Sequence, residues 1–388
     1  VNPTAVSEPD TDAVVLDAVR GVLERVPDTT VIAIAYSGGV DSSVLLHAAS
    51  RIAGPARCVA CHVHHGLSSN ADAWLVHGAA FAGKLGVGWA AEHVDLATRI
   101  GQGDSVEAAA RDARYAALDV LARTAGAELL LLGHHADDQA ETVLLQLLRG
   151  AGLPGLAAMP ALRGGAGRVP LARPFLKLLR ATLDGYATRH ALDWVDDESN
   201  ADLRYARNAL RSRVLPELAV NFPGYRDALA RSARHAADAQ LLLDELGAMD
   251  LTAALRASQP VAAQPMRHGR RANTAAAAAL DREPPVEPVP PMAEPVTRVE
   301  SLVLSRRALA TLSEHRAANL LRYWMRLCGL PAPSSARLGD WLLQLGAAHD
   351  GARLAIGHAG HVLRVYRDAV WWERDLGDAG ESGDSGGG

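Results

Sequence analysis

The sequence predicts an α/β protein with a doubly wound, mostly parallel sheet, followed by a smaller helical and α+β C-terminal domain. Three observations carry that prediction. Short apolar runs of strand length alternate with helix-patterned stretches from Val31 to Arg149. The runs are apolar throughout, as strands covered on both faces must be. Two polar loops, 37–42 and 133–138, follow directly on strands. Ligands of such sheets bind beyond the carboxyl ends of the strands, so the two loops are expected to line one crevice.

Residues 1–10 read as a loose tail. Leu16, Val19, Leu23 and Val26 share one face of a helix over 12–26. Val31–Tyr36 is a strand, and Ser43–Ile52 a helix beyond the glycine loop. The cycle repeats as strand Arg57–Val63 and helix Asn70–Leu85, then strand Val87–Val94 and helix Ser105–Thr124. It ends with strand Glu128–Leu132 and helix Asp137–Arg149. From Leu176 the pattern is helical. Residues 258–299 hold eight prolines, an alanine run and few large apolar side chains, so they are expected to be a disordered insertion. Leu309–Leu327 and Ala336–Leu345 are predicted helices. Arg353–Ile356 and His361–Trp372 are predicted strands around a turn at Gly357–Gly360. The domains expected are a catalytic one over 1–215, a helical connection over 216–257, a small α+β domain over 300–376, and a mobile tail over 377–388.

With 388 residues, 49% of them apolar, the chain can bury one large core and a smaller one. Of its 39 cations only Lys84 and Lys177 are lysines. Arginine's planar fork suits phosphates and carboxylates. Seven arginines fall between Arg204 and Arg234, and a second basic stretch runs from Arg298 to Arg326. These local basic faces on a chain of net charge −5 permit a nucleic-acid partner without requiring one. No apolar run is long enough to span a membrane, and the first 30 residues lack a signal core, so a cytoplasmic protein is expected. Cys58, Cys61 and Cys328 make no disulfide framework.

The strongest chemical signal is Ser37-Gly38-Gly39-Val40-Asp41-Ser42-Ser43. Its glycines let backbone amides approach an anion, and the following helix turns its positive end to the same place. The lysine of a Walker loop is missing. The second signal is Gly133-His134-His135-Ala136-Asp137-Asp138-Gln139-Ala140-Glu141-Thr142. Asp137 and Glu141 lie four apart, on one helix face. Two acids beside a phosphate site can hold Mg²⁺, bind an amine or accept a proton. Taken singly, Asp137 or Asp138 reads more simply as an acid capping the helix. The third segment, His62-Val63-His64, puts two imidazoles on one face of a strand, a possible zinc pair without a clear fourth ligand. Cys58-Val59-Ala60-Cys61-His62 has haem-attachment spacing but lies within a strand, so both cysteines are expected in the core.

The first loop resembles the pyrophosphatase-type loop of the N-type ATP pyrophosphatases, the PP-loop superfamily with an adenine nucleotide alpha hydrolase-like fold. Further pieces narrow the resemblance. They are His62–Ser68, Glu107–Arg111 with Arg114 and Tyr115, Gly133–Thr142, Leu147–Gly152, Arg173-Pro174-Phe175, and Trp194–Asn200 with Arg204, Arg207, Asn208 and Arg211. In order and spacing, over roughly 30–215, they resemble the bacterial tRNA(Ile)-lysidine synthetases. Leu354–Trp372 looks like that family's acceptor-stem-binding domain, and no counterpart is read for the further C-terminal domain of some members. The resemblance implies that ATP adenylates the C2 oxygen of the wobble cytidine in an isoleucine tRNA with a CAU anticodon. The amine of L-lysine then displaces AMP, and decoding changes from AUG to AUA.

It further implies that ATP binds at Ser37, Gly38, Gly39, Val40, Asp41 and Ser42, with Mg²⁺ on Asp41 and Asp138. The residues implied to be catalytic are Asp41, His134, His135, Asp137, Asp138 and Glu141. Lysine would meet Asp137 and Glu141, with Arg111 and Arg114 facing either its carboxylate or phosphates. The tRNA backbone would meet Arg204, Arg207 and Arg211, whose rival reading is a solvated or internally paired face. A homodimer is the assembly to test. Two alternatives stand beside this one: a PP-loop tRNA thiolase, encouraged only by Cys58 and Cys61, and an inactive RNA-binding protein.

Overall fold

In the computed structural model the described residues are 11–64, 66, 70–94, 106–164, 167–196, 206–258, 302–349 and 353–375. The chain forms two units, Val1–Ala239 and Gln240–Gly388. The expected insertion over 258–299, apart from Ser258, and the tail from Gly377 lie outside the described residues.

The first unit begins with α1 (Thr11–Leu23), β1 (Ile32–Ala35), α2 (Val40–Ala53), β2 (Cys58–His64), α3 (Ala71–Lys84) and β3 (Gly88–His93). It continues with α4 (Val106–Thr124), β4 (Leu129–Leu131), α5 (Ala136–Leu148), the short α6 (Leu153–Leu156), β5 (Leu162–Arg163), β6 (Leu171–Ala172) and α7 (Arg180–Arg189). After α8 (Ala206–Ala209), a π-helical turn over Leu210–Val214 leads into α9 (Leu215–Asn221) and α10 (Tyr225–Ser258), whose later part belongs to the second unit.

The sheet order is β3-β2-β1-β4-β6-β5, parallel except for β5. Alternation along each strand feeds two cores. Ile32 and Ile34 of β1, with Cys58 and Ala60 of β2, pack under α1, α2 and α7. Ala33, Cys61 and Val63 point the other way, against Ala117, Leu118 and Leu121 of α4. The doubly wound sheet expected from the apolar runs is therefore present. Its order reverses at β1, with β2 on one side and β4 on the other, which creates the switch point where such sheets bind ligands.

The two strands β5 and β6 escaped the sequence reading because two residues each give no periodicity. Leu171 and Ala172 pair with Leu130 and Leu131 and so bring Arg173 alongside His134.

The second unit contains β7 (Val303–Ser305), α11 (Arg306–Thr311), α12 (Glu314–Leu327), α13 (Ser335–Ala347), β8 (Arg353–His358), β9 (His361–Tyr366) and β10 (Ala369–Arg374). Its antiparallel sheet runs β7-β10-β9-β8. Two expectations need correction here. The single helix over Leu309–Leu327 is broken at Leu312, which is extended, and α12 restarts behind Ser313, whose carbonyl accepts from Ala317 N at 2.9 Å. The single strand over His361–Trp372 is a hairpin. Arg367 takes φ 55°, and Asp368 fixes the turn by accepting from Ser305 Oγ and Arg307 N, both at 2.8 Å. Neither turn residue is the glycine that would have marked it. Trp324, Trp341 and Trp372 fill the core between helices and sheet. Among the described residues no helix is long and apolar enough to cross a membrane.

Candidate active site

The site grows from the two loops flanking the switch point. After β1 the chain turns at Gly38, whose φ of +91° suits glycine and whose missing Cβ would lie 2.7 Å from Val195 Cγ2. Val195 N donates to Gly38 O at 2.9 Å and fastens the loop from outside. Ser42 Oγ donates to Gly39 O at 2.8 Å, and Ser37 N donates to Ser42 Oγ at 3.2 Å. The loop thus closes on itself over the start of α2. Gly133, just past β4, packs against this start: a Cβ there would meet Asp41 O at 3.1 Å. The two loops share one crevice, as their places after β1 and β4 require.

Carboxylates and imidazoles converge there. His135 is buried, with Nε2 3.4 Å from Asp138 Oδ2 and 3.8 Å from Asp41 Oδ2, and Nδ1 3.6 Å from Asp137 Oδ2. Asp138 also reaches back to accept from His135 N at 3.0 Å, the capping role that a single acid in this first turn would have. Burial pushes the Asp41 carboxyl above its ordinary range, against the pull of His135 and Arg180. Burial acts the same way on Asp137, but the Arg180 N–H and the Arg226 guanidinium outweigh it and hold that carboxyl low. Asp138 is also held low, because His135, His134 and the His135 N–H overcome its burial.

His134 differs from its neighbour. Burial drives its pKa down to about 3, and Arg173 Nε donates to its Nδ1 at 3.3 Å. A guanidinium can only donate, so Nδ1 is the acceptor and the ring proton sits on Nε2. His134 is therefore a neutral ring that can donate from Nε2. Arg173 further donates to Pro160 O at 2.8 Å and to Tyr115 Oη at 3.2 Å. The guanidinium of Arg111 lies 5.8 Å from the Tyr115 ring centre and that of Arg163 5.5 Å from it. Arg114 is exposed on the same helix. This side of the site is a basic wall.

The acids have arginine partners that their spacing did not reveal. Glu141 is fully buried and accepts from Arg207 Nε at 3.0 Å and from Arg211 Nε at 2.6 Å. Arg211 Nη2 also reaches Asp138 Oδ1 at 3.3 Å. Asp137 Oδ2 accepts from Arg180 N at 2.9 Å, and its other oxygen is bonded by Arg226 Nε. Arg180 Nη1 lies 3.1 Å from Asp41 Oδ2. Asp137 and Glu141 therefore face guanidiniums rather than open space. Arg207 and Arg211 do converge, as their spacing of four predicts, but on an acid of α5. Arg204 lies outside the described residues. Sequence reasoning missed Arg180 and Arg226, which come from α7 and α10 with no motif of their own.

The third segment divides. His62 is buried, donates from Nδ1 to Tyr36 O at 3.0 Å and stacks on Trp89. It does not pair with His64. Cys58 and Cys61 point to opposite faces of the sheet, and burial pushes their thiols up to about 11 and about 12.

The family model of a PP-loop domain matches residues 16–218, and that of a TilS substrate binding domain matches 304–371. The chain is 53% identical over 372 residues to a tRNA(Ile)-lysidine synthase of Burkholderia pseudomallei, covering 96% of this chain and 67% of that protein. A tRNA(Ile)-lysidine synthase of Polaromonas naphthalenivorans is 39% identical over 344 residues, 87% of this chain and 89% of its own length. One from Ralstonia nicotianae is 43% identical, with 88% of this chain and 64% of that protein covered. The chain spans about two thirds of the length of the first and third of these relatives. With both domain types matched in order and identity sustained over nearly the whole chain, this protein belongs to the tRNA(Ile)-lysidine synthase family of PP-loop proteins.

Proposed function

We propose that the chain adenylates the C2 oxygen of the wobble cytidine in an isoleucine tRNA with a CAU anticodon, and joins L-lysine to that carbon, in the cytoplasm. The observation that carries this reading is the meeting of the glycine loop with the acid–imidazole cluster, where Gly133 lies against the Asp41 backbone.

In the first step the cytidine oxygen bonds to the α phosphorus of ATP. The bond to the bridging oxygen breaks, and pyrophosphate leaves with its electron pair. The amides of Gly38, Gly39 and Val40 and the positive end of α2 are suited to that leaving anion. In the second step the lysine ε-amine, having lost a proton, attacks C2, and AMP departs with the oxygen. His135, ringed by Asp41, Asp137 and Asp138, is the group placed to take the proton, while neutral His134 donates from Nε2. Mg²⁺, when bound, would neutralise phosphate charge. Asp41 fits it, since its buried Oδ1 has no hydrogen-bond partner, and Asp138 would be the second ligand.

Lysine's carboxylate suits Arg111 and Arg114, and its ammonium groups suit Asp137 and Glu141. An ammonium at Glu141 would take the place of a guanidinium. Lysine entry would then release Arg207 and Arg211 for the tRNA backbone, together with Arg204. A thiolase would need an accessible thiolate, and the thiols of Cys58 and Cys61 are buried and raised. We expect Asp41→Ala to lower tRNA-dependent pyrophosphate release by about two orders of magnitude or more, with an unchanged melting curve. Normal release from the folded variant would remove Asp41 from the mechanism.

A further inference from the structure

His64 ends β2 and His93 ends β3, and the two are register partners on adjacent parallel strands. Their side chains leave the same face of the sheet, and their rings stand 4.4 Å apart at 35°. Asp72, in the first turn of α3, accepts from His64 Nε2 at 3.1 Å. One donor atom from each of the three lies within 4.8 Å of the others. We propose that His64, His93 and Asp72 form a binding site for a divalent ion of the zinc class, built from none of the residues assigned to ATP.

Three features support the site. Two imidazoles and a carboxylate form a donor set that such ions prefer, and one that Mg²⁺ does not. Two ligands come from paired strands, so their backbone positions are fixed. The third, Asp72, has its side chain 93% exposed and is able to swing. Zinc–ligand bonds near 2.1 Å place neighbouring donors about 3.4 Å apart in a tetrahedron. The present spacing needs a contraction of up to about 1.4 Å, within reach of side-chain rotation at Asp72 and His93, both exposed. β2 and β3 lie on one side of β1, and β4 with its acid–imidazole loop on the other. An ion here would tie the ends of two strands to α3 and keep a coordination position for water or a fourth ligand.

The test is a titration of the chelator-stripped full chain with Co²⁺, followed by displacement with Zn²⁺. The expected result is one equivalent of Co²⁺ with visible d–d bands and no intense sulfur-to-cobalt band in the near ultraviolet. Zn²⁺ should displace it and an excess of Mg²⁺ should not. His93→Gln and Asp72→Asn should each weaken binding ten-fold or more, while the stripped variants melt as the stripped parent does. Should His93→Gln fail to fold, Asp72→Asn, altered at an exposed atom, decides alone. Absence of stoichiometric binding, equal binding by parent and variants, or a sulfur band that moves the ion to a cysteine would each overturn the proposal.

Discussion

Gly38 shows how much of the nucleotide loop depends on a single missing carbon. Its φ of +91° lies where side chains are strained, and the 2.7 Å approach to Val195 Cγ2 leaves no room for a methyl group. Gly38→Ala is expected to cost about 1–3 kcal/mol, read from a denaturant midpoint, and to weaken nucleotide binding. Wild-type values of both would mean that the loop does not need this turn. Two half-buried histidines set a second residue-scale expectation. Burial lowers His134 to about 3 and His47, beside Tyr186, to about 4. An unfolded imidazole titrates near 6.5, so between there and about 4 the unfolded chain takes up protons that the fold refuses. Stability is therefore full above about pH 6.5 and falls as pH drops through that window. Asp137 and Asp138, held low, add their loss only in the acid range, and Asp41, held high, acts there in the opposite sense. Melting temperatures from pH 8 to pH 5 should show this fall, and His47→Gln should flatten it by about one proton. A profile that rises toward pH 5 would contradict the neutral assignment of these rings.

At the scale of elements, the approach of α3 to the sheet depends on Gly78. A Cβ there would sit 2.5 Å from Trp89 Cη2 and 2.9 Å from Tyr36 Cε1. Tyr36 immediately precedes Ser37, so a displaced α3 strains the nucleotide loop through it. Gly78→Ala is expected to destabilise by about 1–3 kcal/mol and to weaken ATP binding as well, measured by chemical denaturation and nucleotide titration. Destabilisation without any effect on nucleotide would sever that link. The strand-and-helix alternation around this element was legible, because strands of three to seven residues leave short apolar runs between helix-patterned stretches. The ends of the loops were legible from glycine and hydroxyl spacing. What stayed hidden has physical reasons. Leu171–Ala172 is too short to show a period, and Ser313 restarts a helix within one amphipathic stretch. Arg180 and Arg226 reach the site from elements remote in sequence. Nothing local says that Glu141 sits under two guanidiniums.

Across the whole molecule, the candidate site lies in the first unit and a separate core, built on Trp324, Trp341 and Trp372, organises the second. Each unit matches a domain of the family. The central claim joins them in one reaction on one nucleotide. Its most direct test is mass analysis of the wobble nucleoside after incubating the chain with ATP, L-lysine and the CAU-anticodon isoleucine tRNA. The expected product is a cytidine heavier by lysine less one water, formed only when ATP and lysine are both present and absent with Asp41→Ala. An unmodified cytidine from a folded chain that binds ATP, or a mass gain of sulfur for oxygen independent of lysine, would contradict it.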